Sequence, residues 1–132
     1  MFYKITTFLF LYFYVAVIYA CGVPITGEEY DSLIELKIDD EIYMIKIPDS
    51  VNGGKFLSAN LEIYEKLYDS FINVPLQMKK LEGMLAGEVF FYKDLNLTVE
   101  LSVWWDGGAC PIIGRKILKH NKSLQPAAES GG

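Results

Sequence analysis

The sequence predicts an α+β fold: an antiparallel sheet of four to five strands, made of two hairpins, with one amphipathic helix on its apolar face. Three observations lead there. Residues 95–105 alternate without a break, Leu95, Leu97, Val99, Leu101, Val103 and Trp105 against Asn96, Thr98, Glu100 and Ser102, the period of a strand with one wet face. SLIELKI and EIYMIKI (32–38 and 41–47) are rich in β-branched residues and flank Asp39-Asp40, a hairpin signal. Within ANLEIYEKLYDSFI (59–72), Leu61, Tyr64, Tyr68 and Phe71 recur at steps of three and four, with Glu62, Glu65, Lys66 and Asp69 largely opposite, which predicts a helix.

Taken in order, residues 22–31 mix Gly, Pro and acids without periodicity and predict a flexible tether. The first hairpin follows and ends at Pro48. Residues 48–58, with Gly53-Gly54, predict a loop. The helix over 59–72 takes its cap from Ser58 or Asn60 and its stop from Pro75. VPLQMKKLEGMLAG (74–87) is expected to be irregular or a short helix. EVFFYK (88–93), Asp94 and residues 95–105 predict the second hairpin. DGGACP turns the chain into IIGRKIL, a short additional strand, and residues 119–132 predict a disordered polar tail.

The whole chain has 132 residues and a net charge of −5, room for one modest core. An acidic balance argues against a nucleic-acid surface, which needs clustered Lys and Arg. Residues 1–20 carry Lys4 as their one charge, then an uncharged apolar run closing on Ala20. That is the layout of a secretory signal peptide. The domain boundaries expected are therefore 1–20 signal, 21–31 tether, 32–118 folded domain and 119–132 tail.

Cys21 sits directly behind that run, in Val17-Ile18-Tyr19-Ala20-Cys21. A small residue before the cysteine, aliphatic residues behind it and no charge resembles a bacterial lipobox, over the leader only. The resemblance implies cleavage after Ala20, lipidation of Cys21 and an acyl-anchored protein on the membrane, in the cell envelope. Two or more acyl chains hold a protein stably on a bilayer. The alternative is a secreted protein in which Cys21 pairs with Cys110, the default for two cysteines in an exported chain, with Asn96 of Asn96-Leu97-Thr98 and Asn121 of Asn121-Lys122-Ser123 as glycan acceptors.

No catalytic constellation emerges. His120 is the single histidine, without a positioned partner. One histidine and at most one free cysteine cannot assemble a zinc site of the usual ligands, and Asp39-Asp40-Glu41 lacks the spacing of a calcium loop. Neither metal nor cofactor is expected. Asn52-Gly53-Gly54-Lys55 lacks the ending of a phosphate loop. Arg115, Lys116, Lys119 and Lys122 form a small basic patch, read as tail solvation or a lipid-headgroup contact. The candidate contact surface is Trp104 with Asp106: Trp105 follows the apolar register inward, so Trp104 faces the other way, beside a Gly-rich turn. The role expected is a non-enzymatic binding or inhibitor-like module, of the immunity type, whose partners are the membrane through its anchor and an envelope protein.

Overall fold

The structure, a computed structural model, describes residues 21–65 and 69–120. The leader (1–20), residues 121–132 of the expected tail and Lys66–Tyr68 lie outside the described residues. Within them the fold is β rather than α+β: strands account for 61%, helix for 4%, and no helix reaches seven residues. The one short helix is α1 (Glu28–Asp31).

Nine strands follow: β1 (Glu35–Asp39), β2 (Ile42–Pro48), β3 (Ser50–Val51), β4 (Gly54–Glu65), β5 (Ser70–Pro75), β6 (Lys79–Leu81), β7 (Met84–Phe90), β8 (Thr98–Trp105) and β9 (Ile112–Lys119). Sheet 1 has the order β1-β2-β7-β6; sheet 2 has β3-β4-β8-β9, with β5 also paired to β4. All of these pairings are antiparallel. The chain crosses between sheets at Asp49, at residues 76–78 and at residues 91–97, and the two sheets form a sandwich.

The core lies between them. Sheet 1 supplies Ile45, Ile47 and Leu85; sheet 2 supplies Ala59, Leu61, Val99, Leu101, Val103, Trp105 and Ile112; all join one buried cluster. Trp105 bridges the layers, its indole Nε1–H donating to the Pro48 carbonyl at 3.0 Å. That bond removes the penalty of burying a polar N–H in an apolar core. Ile34, just after α1, enters the same cluster. Gly114 lets α1 close over sheet 2: a Cβ there would lie 2.9 Å from the Tyr30 carbonyl oxygen and 3.1 Å from the Trp105 ring.

Several expectations are corrected. The predicted helix over 59–72 is the β4–β5 hairpin, its turn at Asp69 (φ 46°). The same residues also alternate, Ala59, Leu61 and Ile63 against Asn60, Glu62 and Tyr64. Pairing with β8, Leu61 opposite Leu101 and Ile63 opposite Val99, selects the strand period, because a central strand gains ladder bonds on both sides while helix propensity is a weak preference. Tyr64 Oη donates to Asp69 Oδ1 at 3.0 Å and closes the turn; that bond, and then the carboxylate's charge, raises the Tyr64 pKa above the ordinary value.

The second expected hairpin does not form, since β7 and β8 belong to different sheets. β8 starts at Thr98, and Leu95–Leu97 belong to the connecting loop. Residues 74–87, expected as irregular or helical, contain β6 and the start of β7, joined by Glu82-Gly83 with φ of 43° and 80°. Asn52-Gly53, with φ of 50° and 81°, likewise makes a tight hairpin turn out of the expected 48–58 loop. The hairpin around Asp39-Asp40 is present as β1 and β2, with Asp40 and Glu41 as its two turn residues.

The stretch read as a tether is docked. Ile25 forms a parallel bridge with Ile112, its N–H donating to the Pro111 carbonyl while its own carbonyl accepts from Ile113 N. Asp31 Oδ1 accepts from Arg115 N at 2.8 Å.

Because Trp105 is fully buried and links the layers, Trp105→Ala is expected to cost about 3–5 kcal/mol. Trp105→Phe, which keeps most of the ring but orphans the Pro48 carbonyl, should cost less. Denaturant unfolding midpoints check both, and a Trp105→Phe variant as stable as the parent would mean the bond between layers contributes nothing.

Candidate functional site

Of the residues nominated from sequence, the fold unites one pair. Cys21 and Cys110 form a disulfide, 89 residues apart in sequence, with Cα atoms 5.1 Å apart, within the usual span. No free cysteine occurs among the described residues. The bond clips the start of the docked segment 21–31 to the DGGACP turn, beside the Ile25–Ile112 bridge.

Asp106 lies at this same end. Its backbone N–H donates to the Lys55 carbonyl, and its Oδ1 accepts from Gly108 N at 2.9 Å. With Tyr30, Gly54, Gly107 and Ile112 it lines a shallow cleft of about 410 Å³. Trp104 is not part of that cleft. It stands half-buried on β8, opposite Ser58 and Ile113, while Asp106 is exposed. His120 follows β9 directly. Among the described residues, no group of three His, Cys, Asp or Glu could hold a metal ion.

The basic residues serve the fold. Lys116 Nζ donates to the Ile34 carbonyl at 3.1 Å, Arg115 Nη1 stands 3.7 Å from Glu100 Oε1, and Lys119 Nζ donates to the carbonyls of Tyr92 (3.3 Å) and Lys93 (3.2 Å). Lys122 lies outside the described residues.

The opposite end of the sandwich carries a feature that the sequence reading passed over. At the close of β7 the side chains alternate: Phe90 outward, Phe91 inward, Tyr92 outward. Phe91 is buried and meets Tyr43 edge to face, ring centroids 5.4 Å apart. Phe90 and Tyr92 form a second edge-to-face pair at 5.0 Å, yet they are 52% and 62% exposed. Ile42, the cross-strand neighbour of Phe90, is 42% exposed. Large apolar side chains clustered in water are what binding surfaces present.

Several contacts tie this patch to the body. Phe91 N donates to the Glu41 carbonyl at 3.0 Å, continuing the β2–β7 ladder. Lys93 Nζ pairs with Asp40 across the β1–β2 turn, and its backbone N–H reaches Glu41 Oε1. From the other side Lys119 holds the carbonyls of Tyr92 and Lys93. The hydrogen bond to Asp40, then that carboxylate's charge, raises the Lys93 pKa above the ordinary lysine value, with Glu41 and Asp94 adding to it. Asp39, Asp40, Glu41, Glu88 and Asp94 make the rim acidic. Asn96 is exposed in the same loop. The available signal was the run Val-Phe-Phe-Tyr: a strand alternating there must turn two of its three aromatics the same way.

No protein family, curated protein or solved structure matches this chain.

Removing the cross-link, by reduction or as the Cys21→Ser/Cys110→Ser double variant, is expected to lower stability by about 4 kcal/mol from the entropy of an 89-residue closure, read as a loss in thermal midpoint. A further expectation concerns Lys93. A raised lysine pKa means the pairing is complete below the ordinary lysine value and is lost as pH climbs through the raised one. Asp40→Asn should bring the Lys93 pKa down towards the ordinary value in an NMR titration; an unmoved pKa would show that the pin is not formed.

Proposed function

We propose that this chain is a non-enzymatic recognition module working outside the cytoplasm, which engages a protein partner through Ile42, Phe90 and Tyr92. The observation that carries the reading is the exposed Phe90–Tyr92 pair on a loop fixed by Lys93 and Lys119. A preorganised apolar patch loses little conformational entropy on binding. Its acidic rim favours a partner whose apolar pocket is bordered by Lys and Arg. An inhibitor-like or immunity-type role towards a basic target fits this chemistry.

The compartment reading is supported by the Cys21–Cys110 disulfide, a bond that persists in oxidising surroundings. It is the secreted alternative, with Asn96 accessible to a glycan. A second reading, the envelope lipoprotein, is favoured by the Val17–Cys21 pattern. The two compete for one sulfur: a thioether to diacylglycerol at Cys21 would leave Cys110 as a thiol. Intact mass of the mature protein separates them, as a two-proton loss or as a lipid adduct.

The contact reading is tested by capture from secreted or envelope extracts on the immobilised protein. A specific partner is expected to bind about 10–100-fold more weakly to Phe90→Ala and Tyr92→Ala, with unchanged unfolding midpoints and weaker binding at high salt. Binding that these variants leave intact, or that Trp104→Ala alone abolishes, would place the contact elsewhere.

A further inference from the structure

Sheet edges expose unpaired backbone groups, and soluble proteins blunt them with charge, brevity or cover. Three edges of this sandwich are treated so. β1 carries Glu35, Lys37 and Asp39; β6 is three residues long and carries Lys79 and Lys80; β9 is covered by the Ile25 bridge and by Asp31 on Arg115 N. β3, two residues long, is too brief to template anything.

β5 is different. Its sequence, Ser-Phe-Ile-Asn-Val-Pro, has no charge across six residues. Leu76 N donates to the Ala59 carbonyl at 2.8 Å, and in an antiparallel ladder the groups of alternate residues point the same way. Residues 70, 72, 74 and 76 therefore turn their backbone groups towards β4. Phe71 and Asn73 turn theirs outward, and so does the Pro75 carbonyl. Among the described residues, no strand lies along that side. The side chains are uncovered as well. Phe71, beside Tyr64 on the outer face, is 62% exposed; Ile72, opposite Ile63 on the inner face, is 54% exposed.

We propose that β5 is a self-association edge, pairing antiparallel with β5 of a second copy of this chain to join the two five-stranded sheets into one. The arrangement that uses the open groups best has a two-fold axis at Ile72. The N–H groups of Phe71 and Asn73 then donate to the carbonyls of Asn73 and Phe71 of the second copy, and the reciprocal bonds complete four. Pro75, which has no N–H to give, falls beyond this ladder. Ile72 meets its own copy at the non-hydrogen-bonded position, where facing side chains approach most closely. An acidic chain of net charge −5 also needs a neutral strip for two copies to meet, and β5 is the uncharged edge of useful length. A single strand pair lies at the small end of specific interfaces, below about 1,200 Å², so association should depend on concentration, with a Kd of micromolar or weaker. This surface is separate from the aromatic end, and neither proposal needs the other.

Sedimentation equilibrium of the full mature chain, over a concentration series, reads the outcome. A monomer–dimer equilibrium is expected, and Ile72→Lys should shift it at least 10-fold towards monomer while leaving the unfolding midpoint unchanged. Under mild oxidation Ile72→Cys should cross-link as a dimer and Asn73→Cys should not. A chain monomeric at every concentration, a dimer indifferent to Ile72→Lys, or equal cross-linking of both cysteine variants would overturn the proposal. So would a monomeric chain whose β5 is occupied by a different protein.

Discussion

From Val99 to Trp105, every second side chain of β8 is withdrawn completely from water, and both layers pack against that row. Its four members lie in the central strand of sheet 2, facing Ile45, Ile47 and Leu85 of sheet 1 within one cluster. Burying each such side chain stabilises the fold by about 1.5–3 kcal/mol, so this one strand carries a large share of the hydrophobic stabilisation. Trp105 contributes twice, through area and through the indole bond that fixes where Pro48 must lie. The crossing from β2 to β3 starts at that point, and Asp49 and β3 are placed by it.

Period and turn chemistry were legible where they were local. The alternation of residues 98–105 and the apolar segments around Asp39-Asp40 correspond to β8 and to the β1–β2 hairpin. Non-local pairing was not legible. Residues 59–65 satisfy both the helical and the strand period, and the choice between them is made by β8, some 40 residues away in sequence. β7 and β8 are neighbours in sequence but not in the sheet, because the loop between them turns the chain from one layer to the other. Two turns carried a readable sign, Asn52-Gly53 inside the expected loop and Glu82-Gly83 inside the stretch expected as irregular or a short helix; both are held at positive φ, as tight hairpin turns demand.

The candidate site shows a similar division. Trp104 was drawn out of the sequence by parity, and its outward direction was the right inference from that rule. Parity says which way a side chain points, however, and not whether anything covers it; Trp104 is half-buried. The same rule applied to Val-Phe-Phe-Tyr leads to Phe90 and Tyr92, which stay in water because they sit at the rim of the sandwich. What keeps them there is a pair of lysines reaching from opposite directions, Lys93 to the β1–β2 turn and Lys119 from the end of β9. No sequence pattern announces that arrangement.

The disulfide has a mechanical consequence. Tension applied between Cys21 and the chain beyond β9 would cross the sulfur bridge to Cys110, bypassing β1 to β8 altogether. Only β9 lies in the load path, and peeling it away would lengthen the molecule by little more than the span of eight residues. Peeling β9 would also withdraw Lys119 from the carbonyls of Tyr92 and Lys93, so the aromatic end would loosen when β9 gives, while β1 to β8 stay outside the load.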